Sequence, residues 1–251
     1  MNQHDHCNYA LRMGDSCLIL GQRLCEIMGH APILEEDLSI ANIALEQIDQ
    51  ARAWLTLAGT FDENGRDEDA FAYQRSEHEF FNLTLVEQPN GHFGYTVARQ
   101  LLFSGWQRAW YAAAQESSNP QVATLARKFL PQAEFHWRWA ADWTLRLGDG
   151  TELSKQRVQE ALDSLWKFTG ELHEGDFLDV SAAASGFAPS PESLESAWHE
   201  SLGDVLRRST LTKPTTDRLK WHGKRGEHGE ELGLVLAEMQ SLARAHPGAT
   251  W

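Results

Sequence analysis

Apolar residues recur every three to four positions along most of this chain, as they do on one face of an amphipathic helix, and no alternating pattern predicts a strand. Clusters of Gly, Pro and polar residues interrupt this pattern. The segments between these breaks predict helices over about Tyr9–Met28, Leu34–Ala58, Tyr95–Gln115, Pro120–Leu147, Glu152–Glu174, 191–209 and Glu230–Ala245.

Local signals mark some helix ends and one loop. Asn119 and Pro120 are residue types preferred at a helix N-cap and at the first helical position. Pro131 lies inside a predicted helix and predicts a kink one turn before His136. The stretch 212–229 is basic, aromatic and rich in Gly, so we predict a surface loop there.

Four helices of about 20 or more residues, joined by short breaks, are typical of a helical bundle with further helices packed outside it. The chain has 251 residues, of which 42% are hydrophobic, and its 10 Trp residues supply large apolar surfaces. A chain of this size can bury one large core. We therefore predict an all-α fold with a single domain over residues 1–251.

Charge and cysteine content exclude several classes of protein. The chain has 22 basic and 36 acidic residues, a net charge of −14, which repels a nucleic acid backbone. Cys7, Cys17 and Cys25 show no CxxC spacing and predict buried thiols in a reducing compartment. The N-terminus has no apolar signal-peptide core, and no run approaches the roughly 18 apolar residues of a membrane span. We expect a cytoplasmic protein with no nucleic acid or membrane partner.

A helical bundle holds a pair of iron ions through a recognisable pattern of side chains. Two helices each supply one carboxylate, and the other two each supply a Glu-x-x-His pair. About four carboxylates are needed because they offset the charge of two iron ions in a dry core. None of the 11 His residues follows a Glu or Asp by three positions. We therefore predict no catalytic, cofactor-binding or metal-ligating residue in this chain.

Polar residues nevertheless interrupt two apolar helix faces. Gln47 and Gln50 lie on one predicted stripe, and His136 lies on another, three positions after Ala133. One interpretation is a buried cluster whose members hydrogen-bond one another or a trapped water. The alternative is weak binding of a single zinc ion. Glu134 points away from His136 around the helix, so we expect it to be solvated or to face an interface.

Two further clusters of acidic residues and histidine have no spacing specific to a site. Such charged runs usually form solvated surface, and we expect the same here. The clusters are Glu77, His78 and Glu79, and Glu171, His173 and Glu174.

Four stretches of the chain resemble the C subunits of bacterial phenylacetyl-CoA epoxidases. They extend over nearly the whole chain, and the motifs LVEQPNG and LAEMQ within them are specific. The stretches are LGQRLCEIMGHAPILEEDLSIANIALEQIDQAR (20–52), LVEQPNGHFGYTVARQ (85–100), WTLRLGDGTE (143–152) and GEHGEELGLVLAEMQSLARAHPGATW (226–251). The resemblance implies a ferritin-like helical bundle with additional peripheral helices.

The resemblance also implies where the iron ligands of a homologous catalytic subunit would fall in this sequence. Six positions are involved, and we call them the seam positions. Only one of them keeps the ligand type, which is His136. The seam positions are Cys17, Gln47, Gln50, Ser104, Ala133 and His136.

The resemblance implies a noncatalytic structural subunit of a multicomponent oxygenase that epoxidises the ring of phenylacetyl-CoA. A homologous catalytic partner would hold the di-iron centre, a reductase component would supply electrons from NADPH, and further small subunits could complete the complex. Two alternatives remain. One is an autonomous ferritin-like metalloenzyme with an atypical site at His136. The other is a module that binds a small aromatic acid or CoA thioester near Trp54 and Trp143.

Overall fold

A computed structural model describes residues 1–218 and 222–249. The described residues contain no β-strand, and an isolated antiparallel bridge joins His222 to Glu227. The predicted all-α, ferritin-like class is confirmed. The α-helices of the described residues are α1 (Gln3–Glu26), α2 (Leu34–Phe61), α3 (Glu68–Tyr73), α4 (Thr84–Glu87), α5 (Phe93–Ala114), α6 (Pro120–Gly148), α7 (Glu152–Trp166), α8 (Phe177–Ala184), α9 (Pro191–Arg208), α10 (Glu230–Met239) and α11 (Ser241–Ala245).

The chain divides into two compact units. Unit 1 comprises residues 1–89 and the described residues from 222 onward, and unit 2 comprises residues 90–218 of the described chain. The single domain over residues 1–251 stays a prediction. In the described residues, no helix is both long and apolar enough to span a bilayer.

A long antiparallel pair of helices, α1 and α2, forms the centre of unit 1. Two glycines of α1 allow the backbones to approach closely. A Cβ atom on Gly14 would lie 2.8 Å from Leu55 Cδ2, and one on Gly21 would lie 2.9 Å from Ile48 Cγ1. A larger residue at either position would therefore require the neighbouring side chain or the helix backbone to shift.

A buried ion pair joins α1 to the segment after α3. Arg75 Nη1 donates to Asp15 Oδ2 at 3.0 Å, Arg75 Nη2 donates to Asp15 Oδ1, and both side chains are buried. The backbone N–H of Phe81 donates to Asp15 Oδ2 at 2.9 Å. The Arg75 guanidinium also lies 4.1 Å from the centre of the Phe80 ring. Each charge is thus offset by its partner and by further polar contacts, as a buried pair requires.

Within unit 1, a second buried pair attaches the C-terminal segment to α4. Glu87 Oε2 lies 2.9 Å from His228 Nδ1, and Glu87 Oε1 accepts from the Gly229 backbone N–H at 3.0 Å. His228 Nε2 lies 2.8 Å from the Phe80 carbonyl oxygen. Both ring nitrogens of His228 therefore lie within hydrogen-bond distance of oxygen atoms, one of Glu87 and one of the backbone. This contact joins the LVEQPNG motif to the GEHGEE segment, which gives a physical reason for the two motifs to occur together.

Unit 2 is built on a second antiparallel pair, α5 and α6, with α7 and α9 packed against it. Phe93 at the start of α5 meets Trp143 of α6 edge-on, with ring centroids 4.9 Å apart. A Cβ atom on Gly105 would lie 2.7 Å from Trp137 Cζ3, so glycine makes room for that ring. Trp198 of α9 is buried, and its indole N–H donates to the Leu102 carbonyl at 3.0 Å.

All seven predicted segments are helical, with shifts at their ends, but the last one, Glu230–Ala245, is divided at Gln240 into α10 and α11. α1 begins at Gln3 because Asn2 caps it: Asn2 Oδ1 accepts from the Asp5 N–H at 2.8 Å, and the Asp5 carboxylate accepts from the Asn2 N–H at 3.1 Å. The predicted helix Glu152–Glu174 ends as an α-helix at Trp166 and continues as a 3₁₀-helix over Lys167–Leu172.

Short helices were the main omission of the sequence prediction, because α3, α4 and α8 contain too few turns to show periodicity. α6 continues through Pro131, and the kink there stays a prediction. The described parts of the predicted loop 212–229 contain a single 3₁₀ turn at Gly223–Arg225, while its residues 219–221 lie outside the described residues.

We predict that replacing Asp15 with Asn lowers the free energy of unfolding by about 3–5 kcal/mol, because Arg75 would remain buried without its counter-charge. Urea denaturation at pH 7 measures this change. Asp204→Asn is the matched control, since Asp204 pairs with Arg207 on the surface and should change stability by less than about 1 kcal/mol. Equal effects of the two substitutions would contradict the role assigned to Asp15.

Candidate functional site

The six seam positions are all buried, with at most 1% of any side chain exposed. Cys17 lies on α1, and Gln47 and Gln50 lie on α2, so unit 1 carries three of them. Ser104 lies on α5, and Ala133 and His136 lie on α6, so unit 2 carries the other three. The burial predicted from helical periodicity is therefore confirmed at Gln47, Gln50 and His136.

In unit 1, the structure brings a thiol and an amide together across the α1–α2 pair. Cys17 Sγ donates to Gln50 Oε1 at 3.9 Å. Gln47 lies one turn before Gln50, and its Cβ would be 3.6 Å from a Cβ atom on Gly21 of α1. Both amides have polar or electrostatic partners, so neither is an unsatisfied group. Gln50 is thus paired with a thiol of α1, and the predicted cluster of Gln47, Gln50 and His136 stays a prediction.

In unit 2, the hydroxyl of Ser104 is satisfied by its own helix, donating to the Gln100 carbonyl at 2.6 Å. Ala133 offers no polar atom. His136 is one turn further along α6, is fully buried, and lies edge-on to Phe135 with ring centroids 6.2 Å apart. Of these three side chains, only the imidazole of His136 is a common metal ligand.

The seam positions do not fit a di-iron centre. They offer one imidazole, one thiol, two amides, one hydroxyl and a methyl group, whereas two iron ions require about four carboxylates. Glu134 is exposed, as predicted, and so does not supply the missing charge on the buried face of α6. Among the described residues, no group of three or more His, Cys, Asp or Glu side chains is placed to hold a metal ion.

The cysteines are buried at two positions and half-buried at the third. Burial raises the pKa of the Cys7 thiol to about 11, and burial also raises the pKa of Cys25, which is the half-buried one. The prediction of buried thiols is therefore correct for Cys7 and Cys17 and wrong for Cys25. Raised thiol pKa values leave little thiolate near neutral pH, so nucleophilic chemistry is not favoured at Cys7 or Cys25.

The two charged clusters differ in exposure. Glu77, His78 and Glu79 are exposed, as predicted. In the second cluster the prediction is confirmed for Glu174, which is exposed, and wrong for Glu171 and His173, which are only 4% and 3% exposed. The 3₁₀-helix Lys167–Leu172, which is largely buried, leads directly to His173. The centroid of the His173 ring lies 4.8 Å from that of Trp198 and 6.2 Å from that of His199.

Burial is the main reason that the pKa of His173 is lowered to about 4. The positive charge of Arg218 and the His199 ring also lower this pKa, while Glu195 and the backbone of Pro191 oppose the change. Arg218 donates to Glu195 Oε1 at 2.7 Å and also contacts His199 Nε2. His173 is therefore neutral at pH 7 and packs as an aromatic ring.

A polar row on α5 was not predicted from the sequence. Thr96, Gln100 and Ser104 recur at every fourth residue and are all fully buried. The Thr96 hydroxyl and both amide atoms of Gln100 make no hydrogen bond within the described residues. The spacing of three polar residues along one face of a predicted helix is the sequence signal that could have revealed this row.

We predict that acid lowers the stability of the protein partly through His173. Its pKa is about 4 in the folded state and about 6.5 in the unfolded state, so the unfolded chain binds more protons between these values. The free energy of unfolding should therefore fall as pH drops from 6.5 to 4, by up to about 3 kcal/mol from this residue.

The substitution His173→Phe should remove this part of the pH dependence, because the new ring cannot be protonated. Urea denaturation at pH 7, 6, 5 and 4 measures the slope. His78→Phe is the matched control, since His78 is exposed, and should leave the slope as it is in the original chain. If His173→Phe also leaves the slope unchanged, His173 is not the group responsible.

Comparisons with known proteins agree with the specific stretches of the sequence. The chain is 44% identical over 243 residues to the C subunit of the 1,2-phenylacetyl-CoA epoxidase of Escherichia coli (strain K12), and the match covers 97% of this chain and 98% of that protein. The family model described as phenylacetic acid catabolic protein matches residues 1–251. The chain therefore belongs to the phenylacetic acid catabolic protein family.

Proposed function

We propose that this chain is a noncatalytic structural subunit of a multicomponent phenylacetyl-CoA epoxidase of the cytoplasm. Its similarity to the C subunit of such an enzyme supports a role in phenylacetate catabolism. In the proposed complex, a homologous catalytic subunit holds the di-iron centre and a reductase supplies electrons from NADPH. This chain supports the catalytic subunit by packing against it.

The observation that carries the noncatalytic role is the chemistry of the six seam positions. Their side chains are buried and satisfied to a large extent by ordinary contacts, such as Cys17 with Gln50 and Ser104 with the Gln100 carbonyl. They contribute no negative charge, so a dinuclear iron site would leave its own positive charge uncompensated in the core. The long helices therefore pack closely, but their seam positions do not provide the ligands that two iron ions need.

The two alternatives receive less support. An autonomous metalloenzyme would need anionic ligands near His136, and none is among the seam positions. A module for aromatic acids or CoA thioesters would need ring surface open to a ligand. Trp54 is fully buried, and Trp143 already contacts Phe93 and Arg146.

Co-expression with the catalytic subunit encoded in the same organism tests the proposal. We expect a stable complex, and we expect phenylacetyl-CoA-dependent NADPH oxidation, in the presence of the reductase, to require this chain. Light scattering after size-exclusion chromatography measures the complex, and mass spectrometry of the CoA product measures epoxidation. Full turnover by the catalytic subunit and reductase alone would rule out the supporting role.

A substitution at His136 separates the proposal from the metalloenzyme alternative. We predict that the complex containing His136→Gln keeps kcat and iron content within about twofold, because iron is held elsewhere. The thermal midpoint of the variant shows whether the fold persists, since a buried group without its partner can cost about 1–3 kcal/mol. Loss of both iron and activity from a folded variant would favour the metalloenzyme.

A further inference from the structure

Helix α2 has apolar side chains on two faces rather than one. Ile40, Ile43 and Ala44 are buried in the core of unit 1. On the outer face, Leu34, Leu38 and Leu45 are 71%, 57% and 64% exposed. A surface helix of a protein that works alone normally places polar residues there.

The three exposed leucines form a line, which we call the α2 ridge. Their spacing of four and seven residues places them on one side of the helix, over roughly 16 Å of its length. Met28 and Ile33, which precede α2, are also exposed, so five of the eleven large exposed apolar side chains in the described residues lie between Met28 and Leu45. Single exposed leucines are common, but a continuous apolar strip marks an interaction surface.

The stretch of α2 that carries the ridge contains acidic residues and no basic residue. Between Leu34 and Ala51 the sequence contains five carboxylates and no Lys, Arg or His. Glu35 and Asp49 are exposed, and Glu46 is half-buried. The first basic residue of the helix is Arg52, whose Nε lies 3.5 Å from Glu68 Oε1, so it is already paired. The exposed apolar strip therefore lies beside acidic residues of its own helix.

This charge distribution decides what kind of partner fits. In a symmetric contact between two copies of the chain, the acidic borders would face one another, and each copy carries a net charge of −14. Like charges across an interface are unfavourable and select against that pairing. A different chain, with an apolar helix bordered by Lys or Arg, would gain both apolar burial and charge complementarity.

We propose that the α2 ridge is the docking surface for the catalytic subunit, which supplies an apolar helix bordered by basic residues. This inference rests on the proposed function. One helix cannot by itself bury the roughly 1,000 Å² that a specific interface requires. The ridge is therefore the apolar centre of a larger contact, where most of the binding free energy is concentrated, and its acidic border orients the partner.

Paired substitutions test the ridge without disturbing the core, because the side chains concerned are exposed. In Leu38→Glu/Leu45→Glu, the Kd for the purified catalytic subunit, measured by isothermal titration calorimetry, should rise at least tenfold. The matched control is Leu153→Glu on α7, where the leucine is also 57% exposed, and its Kd should stay within twofold. Helicity by circular dichroism and the thermal midpoint should be the same in all the proteins.

The acidic border predicts a second result. The affinity of the original chain should fall as NaCl rises from 50 to 500 mM, and the variant Glu35→Gln/Glu46→Gln/Asp49→Asn should show a smaller dependence on salt. Equal salt dependence in the two proteins would overturn the charge argument.

The outcomes separate this inference from the proposed function. If the original chain binds the catalytic subunit and Leu38→Glu/Leu45→Glu binds equally well, the ridge is not the docking surface, while the proposed function stands. If the original chain alone is a dimer that the same variant converts to a monomer, the ridge serves a second copy and the proposed partner is wrong. If the original chain does not bind the catalytic subunit at all, both proposals fail.

Discussion

Charge that is buried in the core of this protein must be neutralised, and much of the organisation of unit 1 follows from that requirement. An ionised side chain without a partner in a dry core costs several kcal/mol. In unit 1, Asp15 pairs with Arg75 and Glu87 contacts His228, and these contacts tie the segment after α3 to α1 and the segment before α10 to α4. Arg23, which is also buried, pairs with Glu26 and Glu231.

The same requirement is the physical basis of the supporting role that we propose. A metal pair in a bundle requires carboxylates that would repel one another without the metal, which limits how tightly an empty site can pack. Neutral residues at the seam positions remove that repulsion. Cys17 can then approach Gln50, and glycines on α1 and α5 can let neighbouring helices come close. On its outer face, α2 carries exposed leucines with acidic residues beside them.

Much of the site could be predicted from sequence, because helical periodicity states which residues share a face. The burial of Gln47, Gln50 and His136 follows from that periodicity, as does the exposure of Glu134. Glu171 and His173 could not be placed in this way. Their burial depends on a 3₁₀-helix that changes the direction of the chain, and on Trp198, which is distant in sequence. The side-chain amide of Gln100 makes no hydrogen bond in the described part of the chain. This too depends on the neighbouring helices, whose described residues place no hydrogen-bond partner beside it.

The helical class, the seven main helices, the lack of a Glu-x-x-His pattern and the family could all be read from the amino-acid sequence. These properties are local or compositional, because periodicity, capping and spacing act over a few residues. The three-dimensional arrangement was needed to establish which charges are paired, such as Asp15 with Arg75 across 60 positions, and which apolar residues stay uncovered, such as Leu38 and Leu45. Which side chains pair in a core, and whether a neighbouring element covers an apolar helix face, depend on residues far apart in the chain, and the spacing within one helix does not identify those residues.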